Sequence, residues 1–485
     1  MERLSNSKWA FLLICLITSL TMSAQKATMY STTHAERWVK STIKMQTATV
    51  ADVTVSDEQL QPVEGFGGTF SEKAWDAMQV LDDQQRLALM QEFFASDGIN
   101  FCWGRTPVGG NDMSLSTYTY NDVPNDWTQR NFSIARDRYI LLPMIKLALK
   151  VRPDLRMWAS PWTPPYWMKL SEHYSMKSDG VNHTETGHNR MDPNYNVYPN
   201  ITGFKMTEGC LRSYAIYFSK YIQEYAKEGV NIEILMPQNE LQWEPCWQCC
   251  TWRAEDFAIF VGKYLGPQFE QDGIKTQIWL GTYNHPDPTY VTRFFQGRDV
   301  KKYVRGIGIQ WTGMQALPTI NKEFSDMPIM QTEGICGDGE NDWGALERSW
   351  ERIVHCFNNG ARSYMQWNLV LDQDKKSLFD WTQNSLVNID RTTGQIIRND
   401  EYYLMKHLSH FVQDGSHLLK TIEDKRTAPG DASLAKNMLA FVTKEGQKVI
   451  VVYNPSDAES QKVINIDGKT MSLTLKAKSI NTIVL

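Results

Sequence analysis

Between Gly65 and Phe411 the sequence repeats one rhythm, a short apolar run followed by a longer amphipathic stretch, eight times over. The runs lie at 65–70, 99–105, 156–160, 232–237, 276–281, 306–310, 328–331 and 363–368. Continuous apolar runs of this length read as strands buried on both faces, as in a parallel sheet covered by helices. The stretches at 74–94, 139–150, 211–227, 254–265 and 344–358 carry the helical spacing that such crossovers need. Two architectures accommodate the alternation: a closed barrel and an open doubly wound sheet. No strand is followed by a GxGxxG or GxxxxGK[ST] phosphate loop, and eight units close a ring, so the expectation is an α/β fold, a (β/α)8 TIM barrel. Outside it, 47–55, 437–443, 448–454, 462–466 and 479–485 alternate apolar and polar residues as half-buried strands do. They predict a side β-sandwich formed by the N- and C-terminal segments, 25–62 and 412–485, around a barrel at 63–411.

At the N-terminus, Arg3 and Lys8 precede an uncharged apolar run at 9–20, and the small residues Ser23 and Ala24 follow. That order is a secretory signal peptide with cleavage near Ala24. The run falls short of the roughly 20 residues a membrane span requires. The expected product is exported, periplasmic or secreted, with no integral membrane segment after signal cleavage. A net charge of −5, from 50 Lys and Arg against 55 Asp and Glu, argues against a nucleic-acid partner. Seven cysteines follow the leader, an odd number that leaves at least one thiol free. The cluster Cys246, Cys249 and Cys250 has no second CxxC or His pair, so local disulfides or buried thiols are expected and a metal is not. No cofactor is implied, and a monomer is the expected state.

In a barrel the chemistry gathers where the strands end. The fourth run, IEILMPQNE, ends in Asn239 and Glu240, and the seventh, PIMQTE, ends in Glu333. Two carboxyls on one face are the minimum equipment for cleaving a glycosidic bond: one protonates the leaving oxygen while the other attacks or activates water. Either Glu alone reads equally well as an ion-paired helix cap. Arg105 ends the second run before a Gly-rich loop carrying Asp112, and an Arg there can hold a neighbouring carboxylate charged. The chain has 17 Trp. Three strand ends deliver Trp162, Trp311 and Trp367, the last beside Asn368, and indoles converging on one mouth suit the flat face of a sugar.

The strings GFGGTFSEKA, TYTYNDVPNDW, SPWTPPYWMK, QNE and the TEG–WNL pairing closely resemble glycoside hydrolase family 30, from about Glu64 to the C-terminus. The resemblance implies a barrel with a side sandwich and a retaining double displacement, with Glu240 as acid/base and Glu333 as nucleophile. The two carboxyl carbons are then expected about 5–5.5 Å apart. It also implies that Asn239 contacts the sugar 2-hydroxyl, and that Arg105, Asp112, Trp162, Trp311, Trp367 and Asn368 line the glycone subsite. Leu241 stands where many glucosylceramidase-type members have Pro. Thr312 and Gly313 follow Trp311 where the animal enzymes have Tyr. With CGDGENDW at 336–343, these departures look more like the microbial endo-β-1,6-glucanase branch. The expected substrate is therefore a β-glucan or β-glucoside, β-1,6-linked glucan first. A glucosylceramidase, β-glucosidase or β-xylosidase remains the alternative within the family, and a catalytically inactive carbohydrate-binding barrel the alternative outside it.

Overall fold

The structure, a computed structural model, describes residues 26–47, 50–180, 188–198, 200–423 and 435–485. The expected leader at 1–24 lies outside the described residues. Eight parallel strands close into a barrel: β1 (Gly65–Thr69), β2 (Trp103–Pro107), β3 (Arg156–Ser160), β4 (Ile232–Leu235), β5 (Gln277–Tyr283), β6 (Val304–Ile309), β7 (Ile329–Gln331) and β8 (Ser363–Asn368). Each pairs with its sequence neighbours, and β8 closes the ring on β1 through the register Ser363↔Gly65 to Gln366↔Gly68. All eight runs read from the sequence thus become barrel strands.

The barrel is a packed core. Trp103, Trp158, Ile234, Met236, Trp279, Met330 and Met365 form one buried cluster inside it. The Trp279 indole fits because the neighbouring strand presents no side chain against it: a Cβ at Gly306 would lie 2.4 Å from the ring. Part of the tryptophan surplus is therefore ordinary filling.

Two local expectations change. The helix predicted over 74–94 divides into Glu72–Ala77 and Asp83–Phe94 around a tight turn at Met78–Val80. Asp82 restarts it: its side chain accepts from the Gln85 N–H, and the Gln85 side chain accepts from the Asp82 N–H, a reciprocal capping box. The second run starts its strand at Trp103 rather than 99. Asn100 takes the left-handed φ of 67°, and the N–H groups of Ile99 and Phe101 donate to carbonyls of the preceding helix.

Nine further strands from both ends of the chain hydrogen-bond into a second closed ring, in the order Lys26–Thr32, Val39–Thr47, Lys469–Leu475, Ser460–Ile466, Val53–Val63, Ser416–Glu423, Met438–Val442, Lys448–Asn454 and Ser479–Val484. Its core includes Val53, Val55, Ile450, Val452, Ile464, Met471, Leu473 and Ile483. The single strand predicted over 47–55 is instead the end of one strand and the start of the next, Val39–Thr47 and Val53–Val63. None of the seven cysteines among the described residues is paired, and five are buried. No helix among the described residues is long and apolar enough to cross a membrane.

The two bodies meet at helix Asp400–Ser409, whose His407 is fully buried. Thr482 donates its hydroxyl proton to the His407 carbonyl, so the Thr482 oxygen must accept from ring Nδ1 at 2.9 Å. The Thr32 hydroxyl then donates to Nε2 at 2.9 Å, which requires a neutral imidazole. Burial, with the Lys406 and His410 charges, pushes the His407 pKa down to about 3. The unfolded chain takes up this proton near pH 6.5, so His407 withdraws stability as pH falls from 6.5 toward 3. Scanning calorimetry between pH 7 and pH 4 should show a smaller loss of Tm in His407→Asn than in the wild type; parallel curves would refute the linkage.

Candidate active site

At the C-terminal mouth of the barrel lies a cavity of about 320 Å³ whose wall includes Glu240, Glu333, Asn239, Asp112 and six tryptophans. Beyond β4, Asn239 makes one more parallel bridge, to Thr282 at the end of β5, and its N–H donates to the Pro161 carbonyl at 2.7 Å. The Thr282 hydroxyl donates to Asn239 Oδ1 at 2.9 Å and accepts the Glu240 N–H at 3.0 Å. One threonine thus orients both residues. It also anchors Glu240 in a left-handed backbone, φ 50°, a conformation that costs a non-glycine on the order of 1–3 kcal/mol.

Arg105, at the centre, has no solvent exposure. Its Nη1 donates to Glu333 Oε2 at 2.6 Å, and its Nη2 donates to Asn239 Oδ1 at 2.8 Å and Ser160 Oγ at 3.0 Å. The guanidinium lies 4.5 Å from the Trp162 ring, 4.7 Å from Trp158 and 5.2 Å from Trp367, within cation–π range of all three. Glu333 also accepts from Trp311 Nε1 at 3.0 Å and from Gln310 Nε2 at 3.4 Å. Asn239 Oδ1 accepts from Arg105, Thr282 and Gln310, which turns the amide nitrogen toward the cavity.

Asp112 accepts from Gln383 Nε2 at 2.9 Å. Gln383 Oε1 in turn accepts from Trp367 Nε1 at 2.7 Å and from Asn368 Nδ2 at 2.8 Å. Asn368 also donates to the Asn384 carbonyl and does not reach the cavity wall; it fixes the Gln383 side chain that does. Trp162 and Trp367 pack together at 5.5 Å, and Trp247 meets Trp381 at 4.5 Å.

The loop bearing Glu240, Trp243 and Trp247 is tied to the loop bearing Trp162 by a buried ammonium. Lys169 Nζ donates to Thr163 Oγ1 at 3.0 Å, to the Tyr174 and Cys249 carbonyls at 2.6 Å each, and to the Ser175 carbonyl at 3.3 Å. Burial pushes its pKa down, and the four oxygen acceptors offset part of the desolvation.

Burial and the Glu333 charge, in that order, push the Glu240 pKa up. The same two causes raise Asp112 to about 7, against the Gln383 hydrogen bond that lowers it. One carboxylate gripped by a guanidinium, an indole and an amide, beside a carboxyl biased toward its protonated form, is an arrangement able to deliver a nucleophile and a proton to one substrate. Of the residues singled out in the sequence, Glu240, Glu333, Asn239, Asp112, Trp162, Trp311 and Trp367 share the cavity wall, Arg105 lies beneath it, and Asn368 stands behind it. Sequence reasoning passed over Thr282, Gln310 and Gln383. Thr282 follows the fifth run and Gln310 ends the sixth, so the strand-end rule reaches both. Gln383 comes from a long loop with no strand end to mark it.

The description "Glycosyl hydrolase family 30 TIM-barrel domain" matches residues 63–412, and "Glycosyl hydrolase family 30 beta sandwich domain" matches 433–483. The chain is 23% identical over 429 residues to the lysosomal acid glucosylceramidase of Mus musculus, covering 83% of this chain and 77% of that protein. It is 22% identical over 433 residues to the endo-1,6-beta-D-glucanase of Neurospora crassa, covering 86% and 82%. The solved structure of the endo-beta1,6-glucanase BT3312 superposes with a TM-score of 0.77 at 23% identity, over 94% of this chain and 99% of that one.

Two outcomes follow from the geometry. Arg105→Met should leave Glu333 buried without its partner and cost about 3–5 kcal/mol in urea unfolding; a loss under 1 kcal/mol would show that the pair contributes little. Because the Glu333 charge helps raise Glu240, Glu333→Gln should lower the Glu240 pKa in a carbon-13 NMR titration of labelled Glu, and an unchanged pKa would refute that coupling.

Proposed function

The chain belongs to glycosyl hydrolase family 30, and from that premise we propose that it is a retaining hydrolase of β-glucosidic bonds acting outside the cytoplasm on β-1,6-linked glucan. The observation that carries the proposal is the contrast between the two carboxyls: Glu333 is held by Arg105, Trp311 and Gln310, while Glu240 is pushed toward its protonated form.

In the first step the Glu333 carboxylate attacks the anomeric carbon. The bond to the leaving oxygen breaks, and that oxygen takes the proton from Glu240. A glycosyl ester on Glu333 and a Glu240 carboxylate result. Glu240 then removes a proton from water, whose oxygen attacks the anomeric carbon from the face the leaving group vacated, and the Glu333 carboxylate is released. Asn239 points its amide N–H groups at the cavity, where the 2-hydroxyl of the reacting sugar is expected, and such contacts strengthen as the transition state forms. Trp162, Trp367, Asp112 and Gln383 then hold the glycone.

A β-1,6-glucan is favoured by Thr312, a small residue on the cavity wall where the family resemblance implies Tyr in the animal enzymes, by Leu241 where it implies Pro in many glucosylceramidase-type members, and by the name of the Neurospora crassa relative. The mouse relative supports glucosylceramide as the second reading. A panel of β-1,6-glucan, β-1,3-glucan, xylan, glucosylceramide and an aryl β-glucoside separates them.

The roles are tested by stereochemistry. With an activated aryl β-glucoside and azide, Glu333→Ala should give the α-glucosyl azide by one direct displacement, whereas Glu240→Ala should give the β-glucosyl azide by capture of the ester. Each variant should lose at least about 1,000-fold in turnover without azide, in keeping with the loss of an essential catalytic group. Full activity in Glu333→Ala would sink the assignment, and an α-configured first product from the wild type would sink retention.

A further inference from the structure

The cavity wall divides by strand. Trp367 stands at the end of β8, Asp112, Trp162 and Gln383 come from the loops after β2, β3 and β8, and all four are buried. Trp243, Asn284 and Thr312 come from the loops after β4, β5 and β6, across the mouth, and that side is open: Trp243 is 48% exposed and Thr312 is exposed. Glu240 sits on the open side, next to Asn239 in the chain and on the same turn as Trp243, whose N–H donates to the Glu240 carbonyl at 3.2 Å. On the same side stands an anomaly. Asn284 Oδ1 is buried and has no hydrogen-bond partner, although its residue lines the cavity. Its backbone is fixed, since the Thr312 hydroxyl donates to the Asn284 carbonyl.

From these observations we infer that Asn284 and Trp243 form a subsite for the leaving sugar, Asn284 accepting a hydrogen bond from one of its hydroxyls and Trp243 stacking on its ring. The inference deepens the function proposed above and rests on it. An unsatisfied buried acceptor is costly to the empty protein, and a ligand O–H that reaches it recovers that cost on binding. A half-exposed indole beside it supplies the flat apolar face that a pyranose ring covers. Both features flank the residue that donates the proton, and the leaving group must pass on that side. The buried half of the cavity already has its own polar pair, Asp112 with Gln383, so the glycone leaves Asn284 free. A neutral hydroxylated leaving group fits the two features together, because a hydrocarbon chain has no donor for the amide oxygen.

The experiment compares two classes of leaving group on one glycone. Asn284→Ala and Trp243→Ala are assayed with β-1,6-, β-1,3- and β-1,4-linked glucobioses and glucotetraoses, and with 2,4-dinitrophenyl β-glucoside, whose leaving group carries no hydroxyl and needs no protonation. Either variant should reduce kcat/KM about tenfold on whichever sugar-linked substrates the wild type cleaves, the equivalent of about 1.4 kcal/mol, and remain within about twofold on the dinitrophenyl glucoside. Asn284→Asp, which keeps an acceptor, should recover part of the loss. An equal fall on both classes, or no fall on either, overturns the subsite. Cleavage of a linkage other than β-1,6 with the same selective loss would leave the subsite standing and overturn the linkage alone. A wild type that cleaves only the aryl glucoside would overturn both.

Discussion

A guanidinium with no access to water stands at the mouth of the barrel, and the arrangement around it is an answer to the cost of burying it. Arg105 leaves β2, bonds Ser160 at the end of β3, Asn239 beyond β4 and Glu333 beyond β7, and lies against indoles supplied by β3, its following loop and β8. Removing a charge from water costs several kcal/mol unless a partner of opposite charge and a full set of acceptors replace the solvent. Here the carboxylate, the two side-chain oxygens and the three ring faces do so together. That requirement fixes five strand ends relative to one another, so the ion pair sets the geometry of the site as much as it stabilises it.

The same logic extends outward. Thr282 orients Asn239 and Glu240 at once, Gln383 joins Asp112 to Trp367 and Asn368, and Lys169 ties the loop of Trp162 to the loop of Trp243 and Trp247. Strained backbone sits at two cavity residues, Glu240 at φ 50° and Trp311 at φ 49°, each held by hydrogen bonds from a neighbouring strand end or to Glu333. Strain persists only where the surroundings over-determine it, and these bonds supply that surplus of restraint.

Packing explains the two destinies of tryptophan. Trp103, Trp158 and Trp279 fill the barrel interior, where the absence of a side chain at Gly306 makes room for an indole. Trp162, Trp243, Trp247, Trp311, Trp367 and Trp381 face the cavity. Residue type and local pattern are the same in both groups. The difference is position along the barrel axis: the first group lies in the filled layers, the second at the last residues of a strand or past its end, where the layers stop.

The sequence by itself determined a parallel sheet covered on both faces, because eight apolar runs alternate with amphipathic helices, and eight such units with no phosphate loop favoured a closed ring over an open sheet. It also determined that Glu240 and Glu333 emerge on one face, since direction along a parallel strand is shared by all eight. Thr282 and Gln310 were legible by the same rule. What only the tertiary structure decided are relations between strands far apart in the chain. Asn368 turns away from the cavity to hold Gln383, which reaches it from a loop that no strand end announces. The Glu240 pKa rises because burial and a charge 93 residues away act on it together. The unpartnered oxygen of Asn284 exists only because the folded surroundings offer it no donor. Periodicity records which face of an element is buried; it does not record which polar atoms meet across the mouth of a closed barrel, and the chemistry depends on those meetings.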